Sequence, residues 1–228
     1  FARRDFETLV TFADKNGGPE ALKPWDVPYY AEKLKKAAFD ISEEELRPYF
    51  PAPTVLKGMF EVVRRLFDIE VVPCDGMSVW HQDVLTYEIR KDGVSIARFY
   101  FDLYARASKR GGAWMDDCRV RRVDASGSLQ LPVAYLTCNF GGPLGDDPAL
   151  LSHNEVVTLF HEFGHGLHHM LTRIDAAAVS GINGVAWDAV ELPSQFLENW
   201  CWQEQGLNLI AKHFSSNEPL PTALLKKM

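Results

Sequence analysis

The sequence predicts an α+β fold, mainly α-helical, with a small antiparallel sheet. Three observations carry that expectation. Apolar residues recur at three-to-four spacing over the first third, short β-branched and aromatic runs take over from about Ile69, and helical spacing returns after the glycine-rich stretch FGGPLGDDP. In order, DFETLVTFADK, then DVPYYAEKLKKAAF after the Pro24 break, then TVLKGMFEVVRRLFDI read as helices. IEVV, VLTYEIR, VSIARFYFDLYAR and LPVAYLTCNF read as strands, and the Asp92-Gly93 pair between the second and third suits a tight hairpin. KRGGAW and FGGPLGDDP are loops. Helices are expected again from about Ser152 to Thr172 and from about Asp188 to Gln205. The chain thus divides into a helical part (1–68), a small sheet (69–140) and a final pair of helices (152–228).

A chain of 228 residues, 46% of them apolar, can bury a real core, so one globular domain or one large piece of a bigger protein is expected. The net charge of -7 and the lack of a long Lys/Arg block argue against nucleic acid as a partner, because such binding needs clustered positive charge. No apolar run approaches the roughly 18 residues of a membrane span, and the first residues, FARRDFETLV, are too charged for a signal peptide. Cys74, Cys118, Cys138 and Cys201 are scattered without a CxxC. That favours a reducing, cytoplasmic setting over a disulfide framework or a thiolate zinc site. The opening on Phe1 and the stop at LLKKM suggest a fragment of a longer polypeptide.

The chemistry concentrates in LFHEFGHGLHHML, which holds four of the seven histidines, with His153 just upstream. On an α-helix, residues four apart sit about 40° apart and one turn along, so His161 and His165 face the same way. Asn154, Thr158, Glu162, His168 and His169 share that polar side, while Leu159, Phe160, Phe163, Leu167, Met170 and Leu171 fill the apolar one. Two imidazoles on successive turns can converge on one tetrahedral zinc ion, and the intervening Glu162 can reach water at the metal as a general base. The bland alternative is that both histidines are ordinary polar-face residues. A His165/His169 pair competes, but it lacks a glutamate beside its first histidine, and about 12 Å of helix rise keeps His161 and His169 from sharing a metal. His168 and His169 are therefore expected to be solvated or cleft-lining, with a substrate contact possible, as for Asn154. Gly164 and Gly166 each cost about 1 kcal/mol in a helix, so something packs close there, either the sheet or another helix.

A catalytic zinc site needs a third protein ligand. WDAVELPSQFLENW offers Asp188, Glu191 and Glu198, and Glu191, 26 residues after His165, is the best candidate. Asp188-x-x-Glu191 also has the spacing of a capping box, which would leave Glu191 merely satisfying a helix amide. Gln195 and Glu198, one and two turns on, either orient the ligand histidines or are solvated. The strand LPVAYLTCNF either offers an edge to an extended peptide or is an interior strand.

FHEFGHGLHHMLTRI followed by VSGINGVAWDAVELPSQFLENWCW resembles the thimet oligopeptidase family of zinc metallopeptidases, and FYFDLYARASKRGGAW and CNFGGP are similar to that family's catalytic region. The resemblance implies a zincin-like HExxH helix and a second helix carrying the glutamate ligand. It further implies one zinc ion held by His161, His165 and Glu191, with Glu162 as the base. Short peptides would be the substrates, cut at internal bonds or as C-terminal dipeptides. It makes residues 1–228 a single catalytic-core piece of a longer, two-lobed peptidase. The family also carries, further downstream, a tyrosine and a histidine that stabilise the oxyanion. This chain has no tyrosine after Tyr135 and only His213 after the second helix, which puts activity of the chain alone in doubt.

Overall fold

The structure, a computed structural model, describes residues 1–228. In chain order the helices are α1 (Ala2–Lys15), α2 (Asp26–Phe39), α3 (Glu43–Leu46), α4 (Ala52–Phe67), α5 (His153–Met170), α6 (Leu192–Glu198), α7 (Glu204–Ile210) and α8 (Thr222–Leu225). The strands are β1 (Glu70–Pro73), β2 (Leu85–Lys91), β3 (Val94–Tyr104), β4 (Trp114–Arg119), β5 (Arg122–Val123), β6 (Leu129–Gln130) and β7 (Val133–Phe140). They form two compact units, one of Phe1–Leu46 with Pro221–Met228, the other of Arg47–Leu220.

In the smaller unit α1 and α2 bury Leu9, Ala13 and Tyr30, with Phe12, Leu22, Val27 and Leu34 packed against them. After α2 the chain turns at Asp40, a left-handed residue with φ 53°, whose carboxylate accepts from Lys227 Nζ at 2.6 Å.

The larger unit is built on a five-stranded sheet in the order β1-β2-β3-β7-β4. The β2–β3 hairpin closes on Asp92 (φ 52°) and Gly93 (φ 76°), as the Asp-Gly pair predicts. The expectation of an antiparallel sheet needs correcting, since β3 and β7 run parallel, with Tyr100 opposite Tyr135. Before β7 the chain lays down β4 at the far edge and the two-stranded β5–β6 ribbon, so it re-enters beside β3 in the same direction. β4 was not expected at all. It leaves β7, the strand LPVAYLTCNF, interior rather than at an edge.

One sheet face carries Phe99, Phe101, Leu103 and Leu136, each no more than 1% exposed. Phe163 of α5 seats there, its ring 5.5 Å from Phe99, 5.8 Å from Phe101 and 5.9 Å from Phe60 of α4. Burial of a phenylalanine on this scale contributes about 1.5–3 kcal/mol and fixes the apolar back of α5 on the sheet. The helix begins in a reciprocal cap, in which Glu155 N donates to Ser152 Oγ and Ser152 N donates to Glu155 Oε2 at 2.7 Å.

The second helix is shorter than expected. Residues 188–191 are turns, α6 starts only at Leu192 with Pro193 in its first turn, and it passes at Asn199–Cys201 into a 3-10 turn before α7. Proline is favoured in a first turn, where its missing amide costs nothing, so Pro193 sets the start rather than kinking the interior.

Candidate metal centre

Glu191 caps α6 with its backbone in the right-handed helical region, and its side chain makes no capping bond. The Asp188/Glu191 capping box therefore does not form, and the carboxylate is free to face α5. There it meets the histidine pair. His161 Nε2 and His165 Nε2 are 3.2 Å apart, and Glu191 Oε2 lies 3.3 Å from the first and 3.1 Å from the second. A tetrahedral zinc with ligands at about 2.0–2.1 Å has ligand-to-ligand edges of about 3.3–3.4 Å. The three donor atoms form a triangle of nearly that size, and two nitrogens with one carboxylate oxygen are a donor set that zinc accepts. The residues fit the metal.

His161 is oriented from behind, with Glu198 Oε1 2.6 Å from its Nδ1, so Nε2 points into the triangle. This is the histidine–carboxylate pairing that fixes tautomer and ring angle at metal sites. His165 Nδ1 is buried without a hydrogen-bond partner. Burial, the largest influence on His165, pushes its pKa down and favours the neutral ring that can ligate. Glu162 is 7% exposed and its pKa is raised, chiefly by burial and further by the Glu191 charge, against the lowering effects of His161 and of the Met115 main-chain amide. Met115 belongs to β4, so the sheet edge and the candidate base are in contact.

The other expected residues separate. Gln195 is exposed and bonds neither histidine through its side chain, and Asn154 is exposed on the first turn of α5. Of the two later histidines, only His168 lines a cleft. It borders a cavity of about 800 Å³ with Leu167, Val179, Leu192 and Phe196, which includes none of His161, Glu162, His165 and Glu191. His169 is neither solvated nor in a cleft, being 0% exposed with Nε2 2.9 Å from the Arg119 carbonyl of β4. His153, upstream, is likewise buried, its Nε2 2.9 Å from the Cys201 carbonyl.

Two features escaped the sequence reading. Ser194 is buried with Oγ 2.9 Å from Glu191 Oε2, and a hydroxyl three residues after a candidate ligand was a usable signal. Asp102 is clamped by Arg106, Lys109 and Trp80, which pins the start of the KRGGAW loop to β3; nothing in residue type alone announced it.

The α+β architecture, with α5 laid on the mixed sheet and α6 packed against α5, is zincin-like. The sequence pattern of peptidase family M3 matches residues 1–228, and the chain belongs to that family. Among its relatives, oligopeptidase A of Escherichia coli is 54% identical over 226 residues and that of Haemophilus influenzae 52%, in each case covering 99% of this chain. Dipeptidyl carboxypeptidase of Escherichia coli is 40% identical over 230 residues. The chain spans about a third of the length of these relatives.

Proposed function

We propose that the chain carries the zinc site of a metallopeptidase that hydrolyses internal bonds of short oligopeptides. The observation that carries this reading is the triangle of His161 Nε2, His165 Nε2 and Glu191 Oε2, with Glu162 one residue from the first donor. A zinc ion bound there supplies Lewis-acid polarisation of a carbonyl and acidification of water. His161, held by Glu198, and His165, neutralised by burial, present their nitrogens, while Glu191 completes the donor set. Glu162 takes the proton of the attacking water and returns it to the leaving amine; its burial, which raises its affinity for a proton, suits it to both steps. An extended peptide would add to the outer edge of β4, the edge strand whose Met115 amide reaches Glu162. The four free cysteines support a reducing, cytoplasmic setting.

Turnover of a quenched oligopeptide tests this. The chain should cleave it, and Glu162→Gln should lose about 10²-fold or more while keeping its zinc. Unchanged turnover in that variant would remove Glu162 as the base.

A second reading is favoured by the chain's span of a third of its relatives. Here residues 1–228 hold zinc but turn over little alone, because a missing oxyanion donor typically costs about 10²–10³ in rate. Comparing the chain with a full-length relative on the same peptide separates the readings, and equal rates would exclude the second. Product analysis distinguishes internal cleavage from release of C-terminal dipeptides, the action named in the dipeptidyl carboxypeptidase relative.

A further inference from the structure

Ser194 stands in the first turn of α6, three residues after Glu191, and is 0% exposed. Its hydroxyl lies 2.9 Å from two acceptors, the Glu191 main-chain carbonyl and Glu191 Oε2. The second is the oxygen that faces both ligand histidines. A hydroxyl has one proton to give. The ionised carboxylate is the stronger acceptor, since charge-assisted hydrogen bonds are roughly twice as strong as neutral ones.

Glu191 needs such a partner. Its side chain is half exposed, carries three rotatable bonds and accepts no capping bond from the α6 amides, so the helix backbone does not fix its direction. Ser194 is held far more firmly. A Cβ at Gly164 of α5 would come within 2.6 Å of Ser194 Cα and 2.7 Å of Pro193 O, so the two helices touch backbone to backbone at that point. The glycine inside HEFGH thus sets how near the first turn of α6 comes to the histidines.

We infer that Ser194 is a positioning residue for the metal centre, its O–H holding Glu191 Oε2 towards His161 and His165, and that Gly164 is the residue that lets it stand there. The inference rests on the zinc reading of His161, His165 and Glu191. Partners of this kind are typically worth about 10–100-fold in metal affinity.

The test is zinc affinity, by chelator competition and direct titration, in the 228-residue chain. Ser194→Ala should bind zinc about 10–100-fold more weakly, with the thermal midpoint of the metal-free protein unchanged. Added to Glu191→Ala, which leaves no carboxylate to orient, it should weaken zinc no further. Gly164→Ala keeps the hydroxyl but displaces the turn, and should weaken zinc as well. Parent affinity in Ser194→Ala, or an equal loss with and without the Glu191 side chain, would overturn the inference. A parent chain that binds no zinc would instead overturn the zinc reading itself.

Discussion

His161 and Glu198 meet at 2.6 Å, Nδ1 to Oε1, across the gap between α5 and α6. Under the proposed zinc reading the two glutamates have different tasks: Glu198 orients the imidazole through Nδ1, and Glu191 faces the Nε2 atoms on the other side. Glu198→Gln, which keeps an acceptor oxygen but loses the charge, should weaken zinc by about tenfold. Glu191→Gln should weaken it further, and equal losses by metal titration would collapse the distinction.

Gly164 and Gly166 lie in the same helix yet should respond differently to alanine. A Cβ at Gly164 would strike main-chain atoms at 2.6 and 2.7 Å, whereas the nearest atoms to one at Gly166 are side-chain ones, the Leu136 methyl groups at 3.0 and 3.3 Å and the Met170 terminus at 3.4 Å. Overpacking against backbone costs about 1–3 kcal/mol, which outweighs the roughly 1 kcal/mol that alanine gains over glycine in a helix. Urea unfolding should show Gly164→Ala destabilised and Gly166→Ala within about 1 kcal/mol of the parent.

Acid sensitivity should trace to Asp102. Burial alone would raise its pKa, but hydrogen bonds from Arg106, Lys109 and Trp80 outweigh that and hold it well below the ordinary 3.8. A carboxylate with a depressed pKa stabilises the fold fully above its unfolded value and loses that contribution as pH falls through the folded one. Asp102→Asn strands the buried Lys109, which is only 4% exposed. Two main-chain carbonyls remain to it, so a loss of about 3 kcal/mol at neutral pH, the low end for a broken buried pair, is expected. The gap between parent and variant should stay constant from neutral pH to about 4 and narrow below it. A gap independent of pH down to the acid limit would contradict the clamp.

What the sequence made legible follows the range of each interaction. That His161, Glu162 and His165 share one helix, with the two imidazoles meeting, was readable because helix spacing is local, and the hairpin at Asp92-Gly93 because left-handed residues advertise their turn. Glu191 remained ambiguous by spacing alone, since a capping box and a metal ligand call for the same residue type; its place as the cap residue of α6 excludes the capping box with Asp188. β4 stayed hidden because Asp116 and Asp117 depress its strand propensity, and with it went the parallel register of β3 and β7. Burial of His169 under β4 and the meeting of Gly164 with Ser194 depend on tertiary packing, which residue periodicity does not encode.

The central claim is that His161, His165 and Glu191 together hold one zinc ion. Metal analysis of protein purified without chelator or metal-affinity resin tests it most directly. The prediction is close to one zinc per chain, lost when His165→Ala removes a donor; a stoichiometry near zero, or one unchanged by that substitution, would contradict it.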